Sequence, residues 1–209
     1  MEAHSLILFV IAALSINLIP GPDVIYIVSN TMKGNIKSGI QASLGLGAGY
    51  LIHTFAAVIG LSALIVSSAL LFTVIKYLGA AYLLYLGVRS LINCYQQQSA
   101  FSINTNENQK SKHVFKQGMI VSVLNPKVAM FFLAFLPQFI DPASSNASHH
   151  LLILGLLFSA LATLCNLLYA SLGSVLIKGT KAQGYSRILE GVSGSVLIGL
   201  SAKIALTKS

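Results

Sequence analysis

The sequence predicts an all-α integral membrane protein, because of its composition, its long apolar runs and the uneven distribution of its charges. Of its 209 residues, 55% are hydrophobic and only 9% are charged, whereas a soluble globular domain usually carries about 25% charged residues. The chain therefore has too few charged side chains to cover a water-facing surface. This composition excludes an ordinary soluble domain and indicates a polytopic membrane protein.

Six apolar runs are long enough to cross a membrane. A spanning helix needs about 20 apolar residues to cross a hydrocarbon core of about 30 Å. The leader before the first run, MEAHS, lacks a basic region, and no A-x-A cleavage site closes the run, so we expect the first span to remain in the mature protein. The predicted spans are residues 5–31, 39–62, 70–92, 116–139, 150–177 and 187–206.

The basic residues predict the orientation of these spans. The formal net charge is +8, and Lys and Arg follow spans one, three and five, whereas the loops near 63–69 and 140–149 carry neither. Lys76, Lys203 and Lys208 are exceptions to this pattern. Because loops rich in Lys and Arg stay in the cytoplasm, we expect both termini to lie outside it. The basicity therefore indicates an orientation in the lipid bilayer and no binding of nucleic acid.

The chain divides into two similar halves. Residues 1–92 hold spans one to three, residues 116–209 hold spans four to six, and the polar residues 93–115 are predicted to form a flexible cytoplasmic linker. The sequence P-D-V at residue 22 recurs as P-K-V at residue 126. Spans three and six also share a pair of glycines eight residues apart, at an offset of 112, namely Gly79 and Gly87 with Gly191 and Gly199.

A repeated unit of three spans must enter the membrane from the opposite side. The sequence therefore predicts two inverted three-helix repeats, which is the arrangement of a secondary transporter with a site at the membrane midplane.

Helices one and four are predicted to break at PGPD (residues 20–23) and NPK (residues 125–127), because proline removes a backbone donor and clashes with the preceding turn. Such a break is tolerated at membrane depth only inside protein or beside a wet cavity. Pro22 and Pro126 suit the first position of a new half-helix, and Asn125 suits its N-cap. The positive ends of both half-helices would converge near the membrane centre, where they favour an anion such as a carboxylate.

Asp23 and Lys127 carry opposite charges next to these two breaks. Asp23 is the only acidic residue well inside a predicted span, where a charge costs about 2.5–3.5 kcal/mol on insertion scales. It either caps its own half-helix or binds substrate, and both can hold. A cation at the start of a helix opposes the helix dipole, so Lys127 either pairs with Asp23, snorkels to an interface, or binds a carboxylate. The two charges together would fit a zwitterion.

Two further groups of intramembrane residues are candidates for the site. His53 follows Gly45 and Gly49 at spacings of four, which puts all three on one face of span two. His53 is either a hydrogen-bonded packing residue or a proton-coupling or substrate-contacting group. Asn17 and Asn166 are the intramembrane amides that we expect to line a polar cavity. One face of span five suits either close helix packing or such a lining, and it comprises Ser159, Thr163, Asn166, Ala170 and Gly173.

The motifs PGPD, NPK and FFLAFLPQFID resemble those of the lysine exporter family of bacterial amino-acid efflux proteins, the LysE/RhtB type. The likeness extends to KYLGAAYLLYLGVRSL at 76–91 and SGSVLIGLSAKIAL at 193–206, and covers nearly all of the chain. The resemblance implies export of amino acids or close derivatives from the bacterial cytoplasm, driven by the proton gradient, with homodimers as a plausible assembly. The family's motif residues fall here on Pro20, Gly21, Pro22, Asp23, Asn125, Pro126 and Lys127.

Other classes of function fit the residues less well. An exporter of metal cations would need several inward-facing ligands, but the spans offer one deep acid and one histidine. A thiol-redox carrier needs two cysteines that can meet, yet Cys94 lies near the end of span three and Cys165 lies deep in span five. An Asp23–His53 hydrolytic dyad lacks a nucleophile. We therefore expect no enzymatic activity, cofactor or metal site, and retain export of another small solute or a metal cation, thiol-redox transfer and a purely structural role as alternatives.

Overall fold

The computed structural model describes residues 3–33, 35–67, 69–96, 113–140, 144, 146–176 and 182–206. Most of the predicted linker 93–115 lies outside these residues. So do Asp141, the basic residues Lys110, Lys112, Lys178 and Lys181 that follow spans three and five, and the exception Lys208.

The described part of the chain is helical and contains no strand, which confirms the prediction of an all-α fold for these residues. After α6, the helix continues as a π-helical turn at Phe131–Phe135 and a 3-10 turn at Leu136–Phe139. The α-helices are α1 (Ala3–Leu18), α2 (Pro22–Lys33), α3 (Ile36–Ser67), α4 (Ala69–Gln96), α5 (Val114–Val123), α6 (Pro126–Met130), α7 (Ala147–Leu176) and α8 (Ala182–Leu206).

Between two and four membrane spans are identified by length and apolar composition among the described residues. Two are single helices, with spanning segments Ile36–Gly60 in α3 and Ala147–Leu172 in α7. Two more are bent pairs: α1 and α2 meet at 53°, and α5 meets the helical segment Pro126–Phe139 at 48°. The arrangement of six spans in two inverted repeats stays a prediction.

Helix α3 packs antiparallel to α7, and α4 packs antiparallel to α8. Ser43, early in α3, donates to the carbonyl of Asn166, late in α7, whereas Thr54 and Ser159 share a hydrogen bond at 3.2 Å. Helices α4 and α8 are joined by hydrogen bonds in the same antiparallel order. Ser90 donates to the carbonyl of Glu190 at 2.8 Å, and Ser201 donates to that of Ala80 at 2.8 Å.

Such side-chain to main-chain bonds satisfy hydroxyl groups that have no water to bond inside a membrane. They also fix the relative register of the paired helices.

Helix α3 packs closely on α5 through the face that carries Gly45, Gly49 and His53. A Cβ atom at Gly49 would lie 2.5 Å from the Cβ of Ser122, and one at Gly45 would overlap the carbonyl of Phe115. On the opposing helix, a Cβ at Gly118 would lie 2.8 Å from the carbonyl oxygen of Ala42. Small residues on both helices therefore allow the two backbones to approach each other.

We expect Gly49→Ala to destabilise the fold by about 1–3 kcal/mol, the usual cost of overpacking, because the added methyl group forces α3 away from α5. The measurement is the temperature at which detergent-solubilised protein loses its monodisperse peak in gel filtration. Gly60→Ala is the matched control in the same helix, since nothing lies within 4 Å of a Cβ there. Equal melting of the two variants would contradict this account of the interface.

An aromatic cluster holds the segment after α6 against α1 and α7. The rings of Phe131 and Phe158 stack with centroids 4.1 Å apart, and the ring of Phe9 lies 5.9 Å from that of Phe131. All three side chains are buried. This packing fixes α6, and with it Lys127, next to the end of α1.

Candidate functional site

The two helix interruptions lie side by side in the fold. Residues 19–21 separate α1 from α2, and residues 124–125 separate α5 from α6. Two hydrogen bonds join the interruptions: the Asn125 side-chain amide donates to Asp23 at 2.7 Å, and the Lys127 ammonium donates to the carbonyl of Ile19 at 3.1 Å. The junction therefore brings Asp23 next to Asn125, 102 residues away in the sequence, and close to the same interruption as Lys127.

Asp23 is buried and accepts a hydrogen bond on each carboxylate oxygen. Tyr50 Oη donates to Oδ2 at 2.6 Å, and Asn125 Nδ2 donates to Oδ1. The Tyr50 distance lies in the range of about 2.5–2.7 Å that is typical of a hydroxyl bonded to a carboxylate. Asp23 is 3% exposed and Tyr50 0%. The carboxylate is thus held by α3 and by the second interruption, so self-capping of α2 does not describe its bonds.

Asn166 extends this network to α7. Its side-chain amide donates to Tyr50 Oη at 2.9 Å, and the residue is buried. We call Asp23, Tyr50, Asn125 and Asn166 the polar cluster. Each member comes from a different helix or interruption, so any movement between α2, α3, α7 and the start of α6 would alter its hydrogen bonds.

Asn125 has a double role that its amide group makes possible. Its Oδ1 accepts the backbone N–H of Lys127 at 3.0 Å, which makes Asn125 the N-cap of α6, with Pro126 following it as predicted. Its Nδ2 meanwhile donates to Asp23. Because an amide offers both an acceptor and donors, one side chain starts the helix and orients the carboxylate.

Lys127 caps the C-terminus of α1. Its Nζ donates to the carbonyl oxygens of Ile16 and Ile19, each at 3.1 Å, and the side chain is only 8% exposed. The last carbonyls of a helix lack partners within the helix, and the helix dipole favours a cation there. This explains a cation at the unfavourable start of α6. Among the hydrogen bonds of the described residues, none joins Lys127 to Asp23 directly.

The PGP turn leaves room for this ammonium group. A Cβ atom at Gly21 would lie 3.2 Å from Lys127 Nζ, so a side chain there would crowd the cation. Gly21 also accepts the N–H of Ile25 at 3.0 Å in the first turn of α2, which begins at Pro22. Pro20, the first residue of the PGP turn, lies between the end of α1 and the start of α2.

His53 and Asn17 have other partners. The Nε2 atom of His53 lies 3.3 Å from the carbonyl oxygen of Ser122, and its ring stacks on Phe132 with centroids 5.6 Å apart. Asn17 donates to the carbonyl of Ala13 in its own helix at 2.7 Å. Neither side chain has a described hydrogen bond to the polar cluster.

The small residues of α7 pack closely against α3. A Cβ at Gly39 would lie 3.0 Å from the Cβ of Ala170, and one at Gly47 would lie 2.7 Å from Thr163 Oγ1. Close packing therefore accounts for Thr163 and Ala170, whereas Asn166 on the same face joins the polar cluster.

Tyr50 is the site residue that our sequence analysis missed. It is the only tyrosine in the predicted span 39–62 and directly follows Gly49. A lone hydroxyl-bearing ring among glycines deep in a span was the available signal.

We expect Tyr50→Phe to destabilise the protein by about 1–3 kcal/mol, the cost of leaving buried polar groups unpaired. The change removes the partner of Asp23 Oδ2 and of the Asn166 amide together. Thermal unfolding in detergent measures the effect. Tyr95→Phe is the control, because Tyr95 is exposed at the end of α4. An unchanged melting temperature for Tyr50→Phe would show that the hydrogen bonds of Tyr50 in the polar cluster do not stabilise the folded protein.

Metal export and thiol-redox transfer, the alternative functions, would depend on groups of metal ligands or on the two cysteines. Among the described residues, no group of three or more His, Cys, Asp or Glu side chains could hold a metal ion. Both cysteines are free, and they lie at different interfaces: Cys94 is beside Gly191 of α8, and Cys165 is buried in α7.

The chain is similar in sequence to one family of translocators and to several bacterial membrane proteins. The family described as LysE type translocator matches residues 14–208. The chain is 33% identical to the uncharacterized membrane protein YrhP of Bacillus subtilis (strain 168), over 98% of this chain and 100% of that protein. It is 27% identical to a leucine efflux protein of Enterobacter sp. (strain 638), over 94% of this chain and 93% of that protein. A leucine efflux protein of Salmonella choleraesuis (strain SC-B67) is 28% identical, over 96% and 94%. No solved structure matches.

Proposed function

The chain belongs to the LysE type translocator family, which makes it a membrane transporter and not an enzyme, and from this premise we propose that it exports amino acids or close derivatives from the bacterial cytoplasm. The observation that carries the proposal is the pair of buried, opposite charges at the junction of the two interruptions. The relatives named leucine efflux proteins support the same substrate class.

The bonding of these charges favours a zwitterionic substrate. In the described hydrogen bonds Asp23 and Lys127 are joined to neutral groups and not to each other. A charged side chain inside a membrane is energetically costly, so a function is the default explanation for its presence. The substrate ammonium group would replace Tyr50 or Asn125 as partner of Asp23. The substrate carboxylate would replace the carbonyls of α1 as partner of Lys127. Each exchange substitutes a charged partner for a neutral one.

The mechanism we propose is alternating access, in which one three-helix repeat, 1–92, moves against the other, 116–209. The polar cluster, closed on all sides in this arrangement, would be the occluded centre. The antiparallel pairs α3–α7 and α4–α8 support this symmetry, because inverted repeats place matching helices in opposite directions. In the same proposal the termini lie outside the cytoplasm, residues 93–115 link the repeats in the cytoplasm, and two copies form a homodimer in the inner membrane.

We propose that the proton gradient drives export, through antiport of a proton against the amino acid. Protonation of Asp23 from the outside would remove its negative charge and weaken its hold on the departing ammonium group. His53 is the alternative coupling group, since an imidazole ring can both accept and donate a proton. Asn17 donates one N–H to Ala13, so its Oδ1 and its second N–H are the groups that would contribute to the polar cavity.

The test is efflux from proteoliposomes loaded with a mixed panel of the common amino acids, read by mass spectrometry, with an imposed pH gradient present or collapsed. We expect one or a few amino acids to leave, faster with the gradient. Protein-free liposomes control for leakage. If correctly folded protein moves no amino acid, the proposal fails. If efflux is equal with and without the gradient, proton antiport alone fails.

A further inference from the structure

A cavity of about 170 Å³ lies where the end of α1 meets α7 and α8. We propose that this cavity receives the apolar side chain of the exported amino acid, an inference that rests on the proposed function. The wall is almost entirely apolar, and the lining residues are Leu18, Cys165, Leu168, Tyr169, Leu172 and Leu189.

Two residues of the cavity wall are close in sequence to the groups that would hold the rest of the substrate. Leu18 lies in sequence between Ile16 and Ile19, whose carbonyls bind the Lys127 ammonium group. On α7, Cys165 directly precedes Asn166 of the polar cluster. A substrate whose carboxylate reaches Lys127 would thus have its side chain near Leu18, which lines the cavity.

The polar atoms of the wall are unable to serve a charged side chain. The Tyr169 hydroxyl already donates to the carbonyl of Leu18 at 3.0 Å, and Cys165 is the other polar lining residue. A lysine ammonium group placed there would lose its hydration without gaining an acidic partner, which is strongly unfavourable. The lining thus selects a neutral, apolar side chain.

The volume indicates the size of side chain that would fill the cavity. An apolar cavity of about 150 Å³ is known to accommodate benzene, with six carbons, so the four-carbon side chain of leucine fits within this one. Alanine would leave most of it empty. We therefore assign the cavity to branched aliphatic side chains of the size of leucine.

A lipid acyl chain is the competing occupant, because Leu168 and Leu172 are 54% and 48% exposed. An experiment can distinguish the two occupants. If the cavity binds the substrate side chain, added amino acid will compete there with a chemical probe, whereas a lipid chain in the cavity will not respond to added amino acid. Cys165 offers a chemical probe inside the wall.

The first arm of the test measures alkylation of Cys165 by N-ethylmaleimide in proteoliposomes. Cys94→Ala leaves Cys165 as the only cysteine, because the chain has two. We expect saturating leucine to slow labelling at least threefold, and lysine or alanine at the same concentration to have less than half of that effect. Labelling that leucine does not slow, in protein that exports leucine, would overturn the assignment and favour lipid.

The second arm fills the cavity by Cys165→Phe. We expect the leucine-to-alanine ratio of kcat/KM for efflux to fall about tenfold, because the added ring occupies the space of the leucine side chain. Leu164→Phe is the control, since Leu164 is 57% exposed and lies outside the lining, and it should keep the parental ratio. An unchanged ratio in Cys165→Phe overturns the assignment alone. Absence of all amino-acid efflux from the parent protein overturns the proposed function and the assignment together.

Discussion

Replacement of Lys127 by methionine is expected to reduce amino-acid efflux at least a hundredfold. Methionine keeps the length of the side chain but removes two hydrogen bonds to buried carbonyls at the end of α1. Each carbonyl then bears a desolvation penalty of about 1–3 kcal/mol. In the proposed mechanism the change also removes the group that binds the substrate carboxylate, and a hundredfold loss corresponds to about 2.7 kcal/mol in the transition state.

Comparing the melting temperature with the efflux rate separates the role of Lys127 in stabilising α1 from its role in substrate binding. Lys127→Arg keeps a cation that can cap α1, so we expect it to restore the melting temperature of the methionine variant. We expect it to restore efflux only in part, because the longer, planar guanidinium places its donors differently. Efflux should be measured against leucine concentration for both variants. If Lys127→Met melts early but exports leucine with parental kcat and KM, Lys127 is a structural cap and has no part in binding.

The position of Lys127 shows what sequence reasoning misses. Judged by its own half-helix, a cation at this position opposes the dipole, which suggested an ion pair, snorkelling or a ligand site. Its hydrogen-bond partners lie 108 and 111 residues away, on α1. Local sequence predicts where a helix begins, but it contains no information about which helix end lies beside it.

The outcome for Asn125 was different because its interaction is local. An N-cap bond joins residues two apart, so the order Asn-Pro is sufficient to predict it. The burial of Asp23 was also predictable, from its place in an apolar run. Its donors were not: Tyr50 and Asn125 belong to other parts of the chain, 27 and 102 residues away.

The two candidate asparagines illustrate the same limit. Asn17 and Asn166 are both buried amides in apolar helices, and helical periodicity gives each a face. Only the fold determines that Asn166 reaches Tyr50, whereas Asn17 bonds back to its own helix. The face with Gly45 and Gly49 was likewise predictable as a packing surface, but its partner, α5, was not.

Asp23→Asn is expected to abolish gradient-driven efflux and to destabilise the junction by about 1–3 kcal/mol. The carboxylate accepts two hydrogen bonds, from Tyr50 and Asn125. An amide offers one acceptor oxygen and an NH₂ group that only donates, so an asparagine at residue 23 can accept from Tyr50 or from Asn125 but not from both. Asn125 cannot turn over to help, because its oxygen already caps α6. Efflux with and without a pH gradient, together with thermal unfolding, measures both effects.

The double variant Asp23→Asn with Asn125→Asp is the matched control. It moves the carboxylate from one interruption to the other, where it could still cap α6 and could accept from the new amide at residue 23. We expect the swap to recover the stability lost in the single variant. Recovery of gradient-driven efflux as well would mean that coupling needs a carboxylate at the junction, on either side. Recovery of stability alone would locate the coupling and the ammonium contact at residue 23 itself. Gradient-driven efflux that survives in Asp23→Asn would remove Asp23 from coupling and leave His53 as the group to test next.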